Sequence, residues 1–83
     1  MGTKSNPGKF DCYTKAEPDE PMFVLLARDE NAPKIVRSWA EEFAWRCRYG
    51  NPDTELTEAQ LAKYKEALDC ADAMVAWRKA NRP

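Results

Sequence analysis

The sequence predicts an all-α fold: a small helical domain of two long antiparallel helices, with a short N-terminal helix and an extended N-terminal lead. Three observations predict it. A Thr57-Glu58-Ala59-Gln60 capping box opens a run that meets no Gly or Pro before Pro83. Tyr49-Gly50-Asn51-Pro52 is a strong stop, separating that run from an earlier one opened by Pro33. In both runs apolar residues recur at helical spacing.

Residues 1–18 read as a weakly structured lead. Gly2, Asn6, Pro7 and Gly8 are turn formers without periodicity, and Phe10-Asp11-Cys12-Tyr13 suits at most a short extended piece. Residues 19–83 read as a single helical domain. Its first element lies between Glu17 and Arg28, where Asp19 can cap and Pro21 fits a first turn. The run Met22-Phe23-Val24-Leu25-Leu26-Ala27 fits a buried strand or a buried helix. Phe23 and Val24 favour the strand. The capping pattern, Leu25-Leu26-Ala27 and the lack of a partner strand favour the helix, and a short helix is the expectation.

After a turn at Asp29-Glu30-Asn31-Ala32, the second helix should run from Pro33 to Arg48. Acidic residues at its start and Arg46 and Arg48 at its end suit the helix dipole. The third helix should run from Glu58 to Ala80. At 100° per residue, Val36, Trp39, Ala40, Phe43 and Cys47 form one stripe, with Ile35 and Ala44 at its margins. Leu61, Tyr64, Ala67, Leu68, Ala71, Met74 and Val75 form the other. Two such stripes predict antiparallel packing, with Trp39 in the core. Trp45 falls on the far side of its helix, beside Ser38 and Glu41, and Trp77 falls in line with Cys70. Either the lead folds back over one of these indoles, or they meet another chain, since Trp is enriched at binding hot spots.

Composition narrows the functions. The chain has 83 residues, 13 basic against 14 acidic, a net charge of −1 and no histidine. A near-neutral chain lacks the electrostatic footprint of a general duplex-DNA binder. No stretch is long and apolar enough to span a membrane, and no apolar leader is visible, so an intracellular protein is expected. Cys12, Cys47 and Cys70 are odd in number and widely spaced, which argues against zinc and for free thiols. No phosphate-binding loop, nucleophile elbow or metal-helix motif occurs, and adjacent carboxylates such as Glu41 and Glu42 point apart on a helix. The reading is therefore non-enzymatic, with no catalytic residue, cofactor or metal. A domain this short buries only ~60–65% of its unfolded surface, which favours a homo-oligomer.

Two clusters are candidate binding residues. Arg28, Lys34 and Arg37 flank a helix start, where free amides and basic groups can hold an anion such as a nucleotide. Ordinary intramolecular ion pairs of Arg28 or Arg37 are the alternative. Arg46, Arg48 and Tyr49, with the indoles of Trp45 and Trp77, form a candidate interface.

The phrase Glu20-Pro-Met-Phe-Val-Leu-Leu-Ala-Arg-Asp29, continued by Ala32-Pro33, Val36-Arg37 and Trp39-Ala40, resembles small proteins encoded by bacteriophages and prophages. The lead Gly8-Lys-Phe-Asp-Cys-Tyr13 and the tail from Ala67 to Arg78 are similar to the same group. The resemblance implies a phage accessory protein acting in the cytoplasm of a bacterial host. Counter-defence is then the expected purpose, by occluding a host immune protein or by sequestering a nucleotide signal. A phage assembly or replication accessory role is the alternative.

Overall fold

The computed structural model describes residues 1–82. Among these the chain is all-helical, as predicted: α1 spans Cys12–Lys15, α2 Ala32–Cys47 and α3 Glu58–Asn81. An Asx turn feeds α2: Asp29 Oδ1 accepts from the Asn31 N–H at 2.9 Å, and the Asp29 carbonyl accepts from the Ala32 N–H at 3.0 Å. Pro33 then fits the first turn, where its missing N–H has no partner to lose. α3 opens on the expected box. Thr57 Oγ1 accepts from the Gln60 N–H at 3.2 Å, and Gln60 Oε1 accepts from the Thr57 N–H at 2.9 Å.

α2 closes with a reciprocal pair of backbone bonds. The Gly50 N–H donates to the Trp45 carbonyl at 3.1 Å and the Tyr49 N–H to the Arg46 carbonyl at 3.0 Å. This is a Schellman stop, and its left-handed position is held by Tyr49 at φ 55 instead of a glycine.

α2 and α3 pack antiparallel. Arg37 meets Asp72 at 2.9 Å and the Tyr64 hydroxyl donates to Glu41 at 2.7 Å, so rising numbers on one helix meet falling numbers on the other. The seam between them is made of small residues. Ala40 and Ala44 on α2, and Ala67 and Ala71 on α3, are buried at i and i+4, with Ala32 and Pro33 at one end. Small side chains at this spacing let two helices approach at the short end of the usual ~8–10 Å range. Among the described residues no large side chain is fully buried. Each buried methyl contributes only ~0.8 kcal/mol, against ~1.5–3 kcal/mol for a large apolar side chain.

The N-terminal segment, residues 1–31, lies across one face of the helix pair. Met1 N stands 3.3 Å from Glu66 Oε1 and also donates to the Phe10 carbonyl. Leu25 is the one half-buried large residue of its apolar run, and shares grooves with Cys70 and Met74 of α3. The opposite face carries Arg37, Glu41, Tyr64 and Asp72 without a covering layer. The molecule is consequently a slab, 40 × 32 × 20 Å, with a radius of gyration of 13.9 Å where a compact chain of this length gives ~12 Å.

Two expectations need correction. The short N-terminal helix exists at Cys12–Lys15, within the lead, and not over residues 22–27. A six-residue helix has a nucleation cost that packing must offset, and only Leu25 and the small Ala27 of the run turn inward to offset it. α1 instead forms a single turn tied by Asp11, whose side chain accepts from the Thr14 hydroxyl. The second correction concerns Trp39, which is 45% exposed and not a core residue. The buried stripe of α2 centres on Ala40 and Ala44, roughly 100° from the centre set by Trp39 and Phe43. Val36, Phe43 and Cys47 are half-buried at its edge.

Candidate interaction surface

The two flanks of α2 differ. Counting 100° per residue from Ala40 places Ile35, Trp39 and Phe43 on one flank and Lys34, Ser38, Glu41 and Trp45 on the other. On the second flank Lys34, Arg37, Ser38, Glu41, Glu42 and Trp45 line a shallow groove. Trp45 is 48% exposed, so its expected position on the far side is correct. One side of its indole is covered by the connection: a Cβ on Gly50 would sit 3.6 Å from the ring. Beside Gly50, the Tyr49 ring is 91% exposed.

The other expected interface residues separate. Arg46 is exposed, whereas Arg48 is half-buried and its Nε donates to the Thr54 carbonyl at 3.2 Å, holding the α2–α3 connection. Trp77 is 40% exposed but lies at the opposite end of the antiparallel pair from Trp45. It shares a groove with Leu25, Leu26, Arg28, Cys70, Ala73 and Met74 and with residues 2–4 of the lead. The Arg82 guanidinium lies over its ring at 5.4 Å. Trp45 and Trp77 therefore cannot contribute to one continuous patch on a single chain.

The expected anion cluster is also divided. Arg28 lines the Trp77 groove, and its carbonyl accepts from Arg78 Nη1 at 2.8 Å. Lys34 and Arg37 instead line a second groove with Glu30, Val75, Arg78, Lys79 and Arg82. Five cationic side chains thus border one concavity next to the start of α2. The Arg37 guanidinium is engaged by Asp72 rather than by its helix neighbour Glu41. This exposed pair contributes at most ~1 kcal/mol. Arg78, Lys79 and Arg82 lie outside both clusters expected from the sequence. Antiparallel pairing was the available signal, because it brings the last turn of α3 to the first turn of α2.

On the apolar flank Trp39 and Phe43 stack, with centroids 5.3 Å apart and planes 8° from parallel. Lys63 of α3 lays its ammonium over both rings, at 5.7 and 5.3 Å, and 6.0 Å from Phe10 of the lead. Lys63 is the polar residue that sequence reasoning missed here.

Two groups have displaced acidities. The Tyr64 hydroxyl is held above the usual phenol range, first by its hydrogen bond to Glu41 and then by burial. Asp11 is held below the usual carboxylate value, chiefly by the hydroxyl of Thr14. The thiols of Cys12, Cys47 and Cys70 are unpaired. No helix among the described residues is long and apolar enough to cross a membrane. No protein-family model matches this chain, and neither does a curated protein or a solved structure.

Proposed function

We propose that the chain is a non-enzymatic binding protein that covers a protein partner with the Trp45–Tyr49 end of α2. The observation that carries this reading is Tyr49. It occupies a left-handed backbone position that glycine fills without steric cost, and it holds its ring almost wholly in water. The Schellman bonds need that left-handed backbone, but glycine would supply it at lower cost, and the exposed ring makes no use of it within the fold; this is the situation expected where a binding partner uses the ring. Trp45 supplies a half-exposed indole one turn away. Lys34, Arg37, Glu41 and Glu42 supply a rim of both signs. An aromatic centre within a polar rim is the usual anatomy of a protein–protein contact.

The biological purpose we propose is counter-defence in a bacterial host cytoplasm, by occluding a host immune protein. Support for that purpose comes from the phage-like phrases, not from the geometry. A second reading, sequestration of a nucleotide, is favoured by one observation: Lys34, Arg37, Arg78, Lys79 and Arg82 around one groove suit a phosphorylated ligand.

Affinity capture from phage-infected cells separates the two. The occluding reading expects a stoichiometric host protein that is lost from Trp45→Ala and Tyr49→Ala and retained by Lys79→Ala. The nucleotide reading expects a small phosphorylated molecule, released on denaturation and absent from Lys79→Ala. Retention of the protein partner by both aromatic variants would overturn the proposal.

A further inference from the structure

Residues 21–26 form neither helix, turn nor bend, although five of the six are large and apolar. Met22, Phe23, Val24 and Leu26 are all more than half exposed, Phe23 reaching 84%. Among the described residues no backbone N–H of residues 22–26 donates to another backbone group, and no carbonyl of residues 22–25 accepts from one. A β-prone apolar segment with an unpaired backbone is an open edge, which natural proteins normally pair or cover. It also adjoins a second half-exposed feature, since Ile35 and Trp39 are each 45% exposed. Phe23 and Leu25 line one groove with Ile35, Val36 and Trp39, so the segment and the apolar flank of α2 form a continuous face.

We propose that this face binds a second copy of the chain. Residues 22–26 of two protomers pair antiparallel across a two-fold axis at Val24, setting Met22 opposite Leu26 and Phe23 opposite Leu25. The pairing brings both Phe23 side chains and both Ile35–Trp39 ridges together as the apolar centre of the interface.

Four arguments favour a copy over another occupant. The first is area: the chain exposes 6721 Å² where a compact 9.5 kDa monomer exposes ~5,000 Å². The excess, ~1,700 Å², is more than the ~800 Å² per partner of a standard interface. The second is charge. Residues 21–27 carry none, and the one charged side chain lining the groove, Lys63, is held over the Trp39 and Phe43 rings, so self-contact meets little repulsion. The third is supply. An interior of alanines needs a cover whenever the chain is folded, and a second copy is always present when the first is. The fourth is symmetry: an edge paired with itself across a two-fold axis needs no other sequence to match its length or register.

Sedimentation equilibrium tests this, with Val24→Lys, Val24→Glu and their equimolar mixture. The parent should weigh twice the 9.5 kDa chain. Like charges set directly opposite one another destabilise a strand pair, so Val24→Lys alone should raise the dimer Kd by about tenfold or more. Mixing it with Val24→Glu should restore the dimer mass as a hetero-pair, because residue 24 meets itself at the axis. The mixture also decides the matter if either variant alone fails to fold. A folded parent at one chain mass would overturn the proposal, as would a Val24→Lys protein that keeps the parent's dimer mass. A mixture that recovers neither fold nor mass would overturn it too. This outcome is independent of the partner surface at Trp45, which lies on the other flank of α2.

Discussion

Replacing Ala40 by Leu inserts three carbons into a seam where both facing alanines, Ala67 and Ala71, are fully buried. The helices must separate or the new side chain must leave its preferred rotamer, which costs ~1–3 kcal/mol in a filled interior. For a domain of this size that lowers the melting midpoint by ~4–20 °C. Ala76 provides the control, since it is exposed on the same kind of helix and Ala76→Leu changes nothing in the seam. Its effect should stay within ~0.5 kcal/mol. Helical circular dichroism at one fixed protein concentration measures both, so that association is held constant between samples. An Ala40→Leu protein that melts with the parent would show that the seam has room for a larger side chain. The close alanine contact would then not be what joins α2 to α3.

Two further predictions follow from single contacts. Tyr49→Gly should raise thermal stability by ~0.5–1 kcal/mol or more, because glycine accepts φ 55 freely; an unchanged or lower midpoint would mean that the ring stabilises the stop. The raised pKa of Tyr64 adds a pH signature: its contribution is complete below the unfolded phenol value near 10 and fades as pH climbs through the folded value. Alkaline melts of Tyr64→Phe should lack that increment of loss, and identical alkaline slopes for parent and variant would refute the Glu41 contact.

Much of the helical frame was legible because its signals are local. The Thr57–Gln60 box and the Tyr49-Gly50-Asn51-Pro52 stop bond within a few residues, so sequence spacing alone locates them. The stripe of α3 was read correctly around Ala67 and Ala71. The stripe of α2 was read off-centre because hydrophobicity ranks Trp39 and Phe43 above Ala40 and Ala44. Close helix contact selects for small size instead, and size is informative only once the facing helix is known to be small as well. Residues 22–27 were ambiguous for a related reason: their conformation depends on what covers them. The Lys34, Arg37, Arg78, Lys79 and Arg82 groove joins residues up to 48 positions apart, so only the antiparallel pairing reveals it. Trp45 was legible as an outward indole because a helical wheel suffices for that, whereas the strain at Tyr49 required the backbone.

The central claim is that the alanine seam leaves the large apolar side chains outside for another chain to cover. The dependence of the melting midpoint on protein concentration tests it most directly. When folding is linked to association, mass action raises the midpoint as chain concentration rises. The midpoint should climb steadily over a hundredfold range of parent concentration, and Val24→Lys should flatten the slope. A parent midpoint that stays constant over that range, with reversible and complete unfolding, would contradict it: the seam and the lead would then hold the fold without help.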